Sequence, residues 1–169
     1  MAKLPILLVV EDDDEVREAI VDCLCDIDIH ILTAEHGKAA LAILEQHKVI
    51  AVLSDFNMPH MDGLTLLRTV RDMGQDIPFV ILSGHADRHN TVEAMRLGAL
   101  DLMAKPFRVM ELRSAVENAI QYGLQLRALE LQLEALSKDS SDSPEVQKIK
   151  ELKKNLIETR YRQAHKKTA

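Results

Sequence analysis

The chain is predicted to fold as an α/β protein: a five-stranded parallel sheet with helices on both faces, followed by an extended helical tail. Three observations predict this. Short apolar runs and stretches of helical periodicity alternate five times in about 120 residues, the pattern of strand–helix repeats with right-handed crossovers. The runs Ile6–Val10 (ILLVV) and Phe79–Leu82 (FVIL) are continuously apolar, as in strands covered on both faces. From Val109 an apolar pattern runs on well past the fifth repeat.

Taken in order, Ile6–Val10 is the first strand, and Glu11-Asp12-Asp13-Asp14 ends it. Val16, Ala19, Ile20 and Leu24 then recur at helical spacing. Ile29–Ala34 is a second, shorter strand, and Gly37 opens an Ala/Leu-rich helix to about His47. Val49–Ser54 is the third strand, ending at Asp55, with Pro59 and Gly63 punctuating the turn beyond it. Leu64–Met73 reads as a helix closed by Gly74, the residue best suited to a left-handed C-terminal cap. Pro78 introduces the fourth strand, which ends at Ser83-Gly84. A helix from about Asn90 to Leu97 is capped by Gly98, and Leu100–Ala104 forms the fifth strand before Lys105-Pro106-Phe107.

Composition narrows the function classes. Hydrophobic residues make up 47% and aromatics 3%, so the core is aliphatic. A net charge of −6 argues against a protein that coats nucleic acid. The charge is uneven: residues 145–169 hold eight Lys/Arg against three Glu, about +5, leaving about −11 on residues 1–144. Cys23 and Cys25, two apart, suit neither a disulfide nor a zinc knuckle and read as reduced thiols. There is no signal-peptide pattern, and no apolar stretch approaches the ~18 residues of a membrane span. The expected location is the cytoplasm, with no membrane partner.

The chemistry lies at the strand ends. In open α/β sheets, ligands gather beyond the carboxyl ends of the strands. Strands one, three, four and five deliver Glu11 and Asp12, Asp55, Ser83, and Lys105 to that edge. Clustered carboxylates repel one another in a partly buried pocket, and a hard divalent ion relieves this. Mg²⁺ takes oxygen ligands, so Asp12 and Asp55 are expected as direct carboxylate ligands, Glu11 through water, and Asn57 through its carbonyl. A carboxylate at such a site can attack phosphorus. Lys105 and Ser83 then supply the charge and the hydroxyl that a transferring phosphoryl group needs.

The segments VVEDD, LSDFNMPHMDG, ILSG and AKPF stand in the order and at the spacing of a receiver domain of a two-component response regulator, and the chain resembles that family over about residues 4–122. The resemblance implies the chemotaxis-type, flavodoxin-like fold with strand order 2-1-3-4-5. It implies Asp55 as acceptor of phosphate from a histidine kinase, with Glu11 and Asp12 as the acid pair and Asn57 as a carbonyl ligand. It also implies Ser83 as switch hydroxyl, Lys105 as phosphate partner and a cis bond before Pro106. Two positions depart from the family pattern: Ser83 replaces the commoner Thr, and Leu102 stands where many receivers carry Tyr or Phe. A leucine cannot report the switch through a ring.

Other residues read as structural. Asp62-Gly63 is turn chemistry, His85 and His89 lie on an exposed rim, and His36, His47 and His60 have no evident partners. The methionines fill core or rim.

The receiver is expected over residues 1–122 and the helical extension over 123–169, with a helix to about 137, a polar turn at 138–143 and a second helix over about 144–163. Ala115, Ala119, Tyr122, Leu126, Leu129, Leu133 and Leu136 alternate by four and three, about three heptads of a coiled-coil seam. A helix packed on its own domain is the other reading. Leu124 and Leu131 fall off the seam and suit a helical hairpin, in which Ile149, Leu152 and Leu156 line the second helix. Ser143 and Pro144 are placed as its N-cap and first helical residue. The basic end reads as a solvated face, so nucleic acid is not expected as a partner.

The expected function is a receiver phosphorylated on Asp55, Mg²⁺-dependent, with output through self-association or partner binding by the tail. Partners are a sensor histidine kinase or phosphotransfer protein, and a homodimer through the C-terminal helices. It is not expected to be an enzyme beyond its own phosphorylation and dephosphorylation. Two alternatives stand beside it: the N-terminal part of a longer regulator, and a vestigial receiver serving as a coiled-coil scaffold. A haloacid-dehalogenase-like phosphatase would need Asp two residues after its nucleophile, where Asn57 stands.

Overall fold

The first strand, β1 (Ile6–Val10), is buried at all five positions in the computed structural model, which describes residues 4–84, 88–136 and 143–167. Leu7 and Val9 point into one core and Ile6, Leu8 and Val10 into another, as the two-residue period of a strand requires. The other elements are α1 (Asp14–Cys23), β2 (His30–Ala34), α2 (Gly37–Gln46), β3 (Val49–Asp55), α3 (Gly63–Asp72), β4 (Phe79–Ser83), α4 (Arg88–Arg96), β5 (Asp101–Ala104), α5 (Val109–Leu136) and α6 (Pro144–Lys167). Every strand pairing is parallel, in the order β2-β1-β3-β4-β5. The strand order and the helix-covered sheet match the expectation.

Helix α1, with its C-cap residue Leu24, and α5 cover one face through Ile20, Leu24, Leu112, Val116 and Ala119. On the other face, α2, α3 and α4 pack Leu44, Leu66, Leu67, Val70 and Met95 over Leu8, Val52 and Ile81. Burying each such aliphatic side chain stabilises the fold by about 1.5–3 kcal/mol, so the sheet is fixed by side chains with no role in chemistry. Asp13 and Asp62 cap α1 and α3 by accepting from Val16 N at 3.0 Å and Thr65 N at 2.7 Å. Gly74 (φ +73°) and Gly98 (φ +82°) close α3 and α4 in the left-handed conformation that only glycine adopts without strain.

The tail is the expected pair of helices, α5 and α6, but the residues on its inner face differ from those expected. Helix α5 crosses residues 122 and 123 without interruption, and Tyr122, Gly123 and Leu126 remain buried. A Cβ at Gly123 would collide with the Ile50 carbonyl, so glycine lets α5 lie directly against the start of β3. Helix α6 is capped by Ser143, whose Oγ accepts from Val146 N at 3.2 Å, and folds back along α5. Lys153 bridges Glu130 and Asp76, each at 3.1 Å, and the Arg160 guanidinium sits over the Tyr122 ring at 5.2 Å.

The seam expected for a coiled coil is therefore occupied within the chain. Ala115, Ala119, Tyr122 and Leu126 are buried on the sheet domain, and Leu133 lines a groove with Lys150 and Ile157 of α6. Leu124 and Leu131, expected to close the hairpin, are instead 46% and 49% exposed, and Leu152 is exposed too. The sheet domain and α6 flank the same side of α5, which leaves the opposite side to solvent. The polar turn expected at 138–143 falls almost wholly outside the described residues, as do His85 and the side chain of His89.

Candidate functional site

Asp55 is the last residue of β3, and Glu11 is the first residue after β1, the neighbouring strand. The chain leaves β1 toward β2 on one side and returns to β3 on the other. This reversal opens a crevice at the carboxyl edge, where an α/β sheet binds its ligands. Both carboxylates are buried, Glu11 at 2% exposure and Asp55 at 5%, while Asp12 is exposed. One carboxylate oxygen from each of Glu11, Asp12 and Asp55 lies within 4.8 Å of the other two.

Lys105 reaches the crevice from the end of β5. Its Nζ stands 2.6 Å from Asp55 Oδ1 and donates to Glu11 Oε2 at 2.7 Å. Lys105 N donates to the Ser83 carbonyl at 2.7 Å, which ties the end of β5 to the end of β4. The Lys105–Pro106 bond is cis. Asp55 Oδ2 accepts from Asn57 N at 3.1 Å, and Glu11 Oε1 accepts a longer bond from Asp13 N at 3.4 Å. Ser83 ends β4, one residue beyond Leu82, which pairs with Asp55 in register. Sequence reasoning placed Glu11, Asp12, Asp55, Ser83 and Lys105 at one edge, and the structure brings them there. It also puts Asn57 against Asp55 through its amide.

Electrostatics follow from this packing. Burial pushes the Glu11 carboxyl up from its ordinary value; the Lys105 hydrogen bond draws it back, and the Asp55 charge pushes it up again, leaving it raised. Burial works to lower Lys105, but its hydrogen bonds to Asp55 and Glu11 outweigh that and hold the ammonium above its usual range. One ammonium facing three carboxylates leaves the crevice net negative, a donor set suited to a hard divalent cation.

Several supports were not legible from the motifs. Arg17 of α1 donates to the Glu11 carbonyl at 2.7 Å and pins the loop that carries the acid pair. Gly63 lies against the strand end: a Cβ there would collide with the Asp55 carbonyl oxygen, so the Asp62-Gly63 turn also sets how closely α3 packs on the site. His36 accepts from Ala39 N through Nδ1 at 3.1 Å to cap α2, and its ring meets that of His60 edge-on at 5.0 Å. An Asx-like cap by histidine gives almost no sequence signal.

A family profile described as the response regulator receiver domain matches residues 7–117. The chain belongs to the response regulator receiver family. The receiver is 35% identical over 117 residues to the DNA-binding transcriptional regulator NtrC of Salmonella typhimurium, an alignment covering 69% of this chain and 25% of NtrC. It is 28% identical over 146 residues to the response regulator protein TodT of Pseudomonas putida, covering 86% of this chain and 59% of TodT. The chain thus spans a quarter of one relative and just over half of the other. Among solved structures, a response regulator receiver domain protein from Clostridium thermocellum superposes with a TM-score of 0.67 at 29% identity, over 73% of this chain and 99% of that one. Receiver domains generally bind Mg²⁺ through acidic residues and interact with histidine kinases or phosphotransfer proteins. In this receiver, Leu102 of β5 pairs with Ile81 and packs against the core on the α3–α4 face, as an aliphatic residue with no polar tip. Among the described residues no helix is long and apolar enough to cross a membrane.

Proposed function

We propose that this receiver accepts a phosphoryl group on Asp55 from the phosphohistidine of a sensor kinase or phosphotransfer protein, in a Mg²⁺-dependent reaction. One observation carries the reading: Lys105 Nζ contacts Asp55 and Glu11 together, at 2.6 and 2.7 Å, at the mouth of the three-carboxylate crevice. Asp55 attacks phosphorus through Oδ1 or Oδ2, forming an acyl phosphate as the bond from phosphorus to the donor nitrogen breaks. Lys105 then shifts from a carboxylate to the phosphoryl oxygens, and the Ser83 hydroxyl donates to the same group. Glu11, Asp12 and Asp55, with the Asn57 carbonyl, would hold Mg²⁺, which when bound neutralises charge on the transferring group. Beyond its own phosphorylation and hydrolysis the chain is not a catalyst, and it acts in the cytoplasm.

The phosphoryl group adds about two negative charges next to Lys105 and Ser83. We assign the output to the helical hairpin, through altered self-association or partner binding. Helix α4 links the two regions: it begins shortly after Ser83 and packs against α6 of the hairpin, while Arg71 of α3 donates to the Leu97 and Gly98 carbonyls at 3.1 and 3.0 Å and fixes the end of α4. With Leu102 in place of a ring, the transmission runs through packing of α4 on β5 rather than through an aromatic rotamer.

The test is incubation with a small acyl phosphate and Mg²⁺, followed by intact-mass analysis. The wild type gains one phosphoryl group and Asp55→Asn gains none. Labelling of Asp55→Asn to the wild-type extent overturns the assignment, and an unlabelled wild type favours the scaffold reading. A second reading, that the chain is part of a longer regulator, is favoured by its spanning a quarter of NtrC, and the length of the natural open reading frame decides it.

A further inference from the structure

Helix α5 carries a second apolar stripe that neither the sheet domain nor α6 uses. Leu124, Ala128, Leu131 and Ala135 repeat by four, three and four residues, and all four are exposed. At 100° per residue the stripe lies about 150° around the helix from the buried Ala119 and Leu126. It also faces away from Glu130 and Tyr122, where α6 docks. The spacing is that of a helix–helix seam, and its order is large, small, large, small.

We infer that this stripe binds a second copy of the chain, with the two α5 helices antiparallel about a two-fold axis between residues 129 and 130. That register sets Leu124 against Ala135 and Ala128 against Leu131 of the second copy, so each layer pairs a large side chain with a small one. A two-fold interface must be complementary to itself, and this pattern is. Parallel pairing would instead stack Ala128 on Ala128 and Leu131 on Leu131, leaving one layer hollow and the next crowded. Charge agrees with the antiparallel choice. Arg127 and Glu134 lie on one flank of the stripe, already joined within the helix at 3.4 Å. The two-fold axis lays this flank against its own copy, with Arg127 about 3 Å along the axis from Glu134 of the second copy. The opposite flank carries Gln121, Gln125 and Gln132, all exposed and uncharged. The second copy is the partner in the output proposed above, and its use in signalling rests on that reading.

Sedimentation equilibrium of the full chain tests the pairing, with Asp55 labelling measured on the same samples. A reversible dimer is expected. Leu131→Glu and Ala128→Leu each weaken it at least tenfold, and the double variant Ala128→Leu/Leu131→Ala restores it, because the swapped layer is again large against small. Both positions are exposed, so circular dichroism stays unchanged. A wild type still monomeric at about 100 µM overturns the inference, because a seam that weak would carry less than about 6 kcal/mol. A dimer indifferent to Leu131→Glu, or one that Ala128→Leu strengthens, overturns it as well. A monomer that is labelled on Asp55 removes the pairing and leaves the phosphoacceptor reading in place; a dimer that is not labelled supports the pairing and removes the phosphoacceptor reading.

Discussion

Lys105 Nζ lies 2.6 Å from Asp55 and 2.7 Å from Glu11, so one ammonium from the end of β5 holds two buried carboxylates from β3 and the end of β1. Two buried anions this close would repel each other strongly without it. The lysine therefore stabilises the resting crevice and stands within reach of any group added to Asp55.

Removing that ammonium separates the two roles. Lys105→Met leaves the acid cluster uncompensated, so divalent cations bind at least as tightly as to the wild type. Phosphoryl transfer from a small donor falls by about 10²-fold, the usual cost of losing one preorganised charge at a transition state. Mg²⁺ titration and stopped-flow labelling read the two effects. Loss of cation binding in this variant would show that Lys105 acts only in folding.

The raised Glu11 carboxyl sets a pH dependence. A group whose proton is held more tightly in the folded state contributes stability below its unfolded pKa, and that contribution is lost as pH rises through the folded value. Once ionised, Glu11 is thus a destabilising group in the metal-free protein. Glu11→Gln is expected to raise the urea midpoint at pH 7 and to weaken Mg²⁺ binding. In the wild type, Mg²⁺ affinity falls as pH drops through the raised Glu11 value. An Mg²⁺ affinity that does not fall as the pH is lowered counts against this role.

Gly63 meets the strand end without room for a side chain. Gly63→Ala forces the Asp55 carbonyl and α3 apart, at a cost of about 1–3 kcal/mol, the range for overpacking a tight core. Denaturant melts measure the loss. Labelling of Asp55 slows as well, because the displaced atom belongs to the acceptor residue. Wild-type stability would mean that the loop relaxes at no cost.

Lys153 fastens α6 to both α5 and the sheet domain through Glu130 and Asp76. Burial works to lower its pKa, but the hydrogen bonds to Asp76 and Glu130 prevail and raise it. The bridge accordingly contributes in full below the ordinary lysine pKa and fades as pH rises through the raised value. Lys153→Met is expected to weaken α6 docking by about 1 kcal/mol, in line with a partly exposed bridge. Faster amide exchange confined to α6, with the sheet unchanged, is the signature.

The sheet and the crevice were largely legible because β1, β3 and β4 are written as apolar runs, and the candidate residues Glu11, Asp55 and Ser83 stand at their ends. Asp55, Ser83 and Lys105 needed only the rule that parallel strands share a carboxyl edge. Residues acting through backbone contacts were not legible: Arg17 on the Glu11 carbonyl, Gly63 under Asp55 and His36 as a cap carry no periodic signal. The tail was readable as helix but not as partnered helix. The heptads from Ala115 to Leu136 suit a sister chain, the sheet or α6 equally well, since an apolar stripe records only that it must be covered.

By itself, then, the sequence determined the five strand–helix repeats, their parallel sheet and the convergence of acid, hydroxyl and lysine at one edge. Hydrophobic periodicity and strand direction suffice for that, because both are local. Tertiary structure alone decided that Lys105 spans Glu11 and Asp55 and that α6 folds back onto Asp76 and Tyr122, leaving Leu124 and Leu131 in solvent. Those outcomes depend on distances between segments far apart in the chain, and only packing sets them.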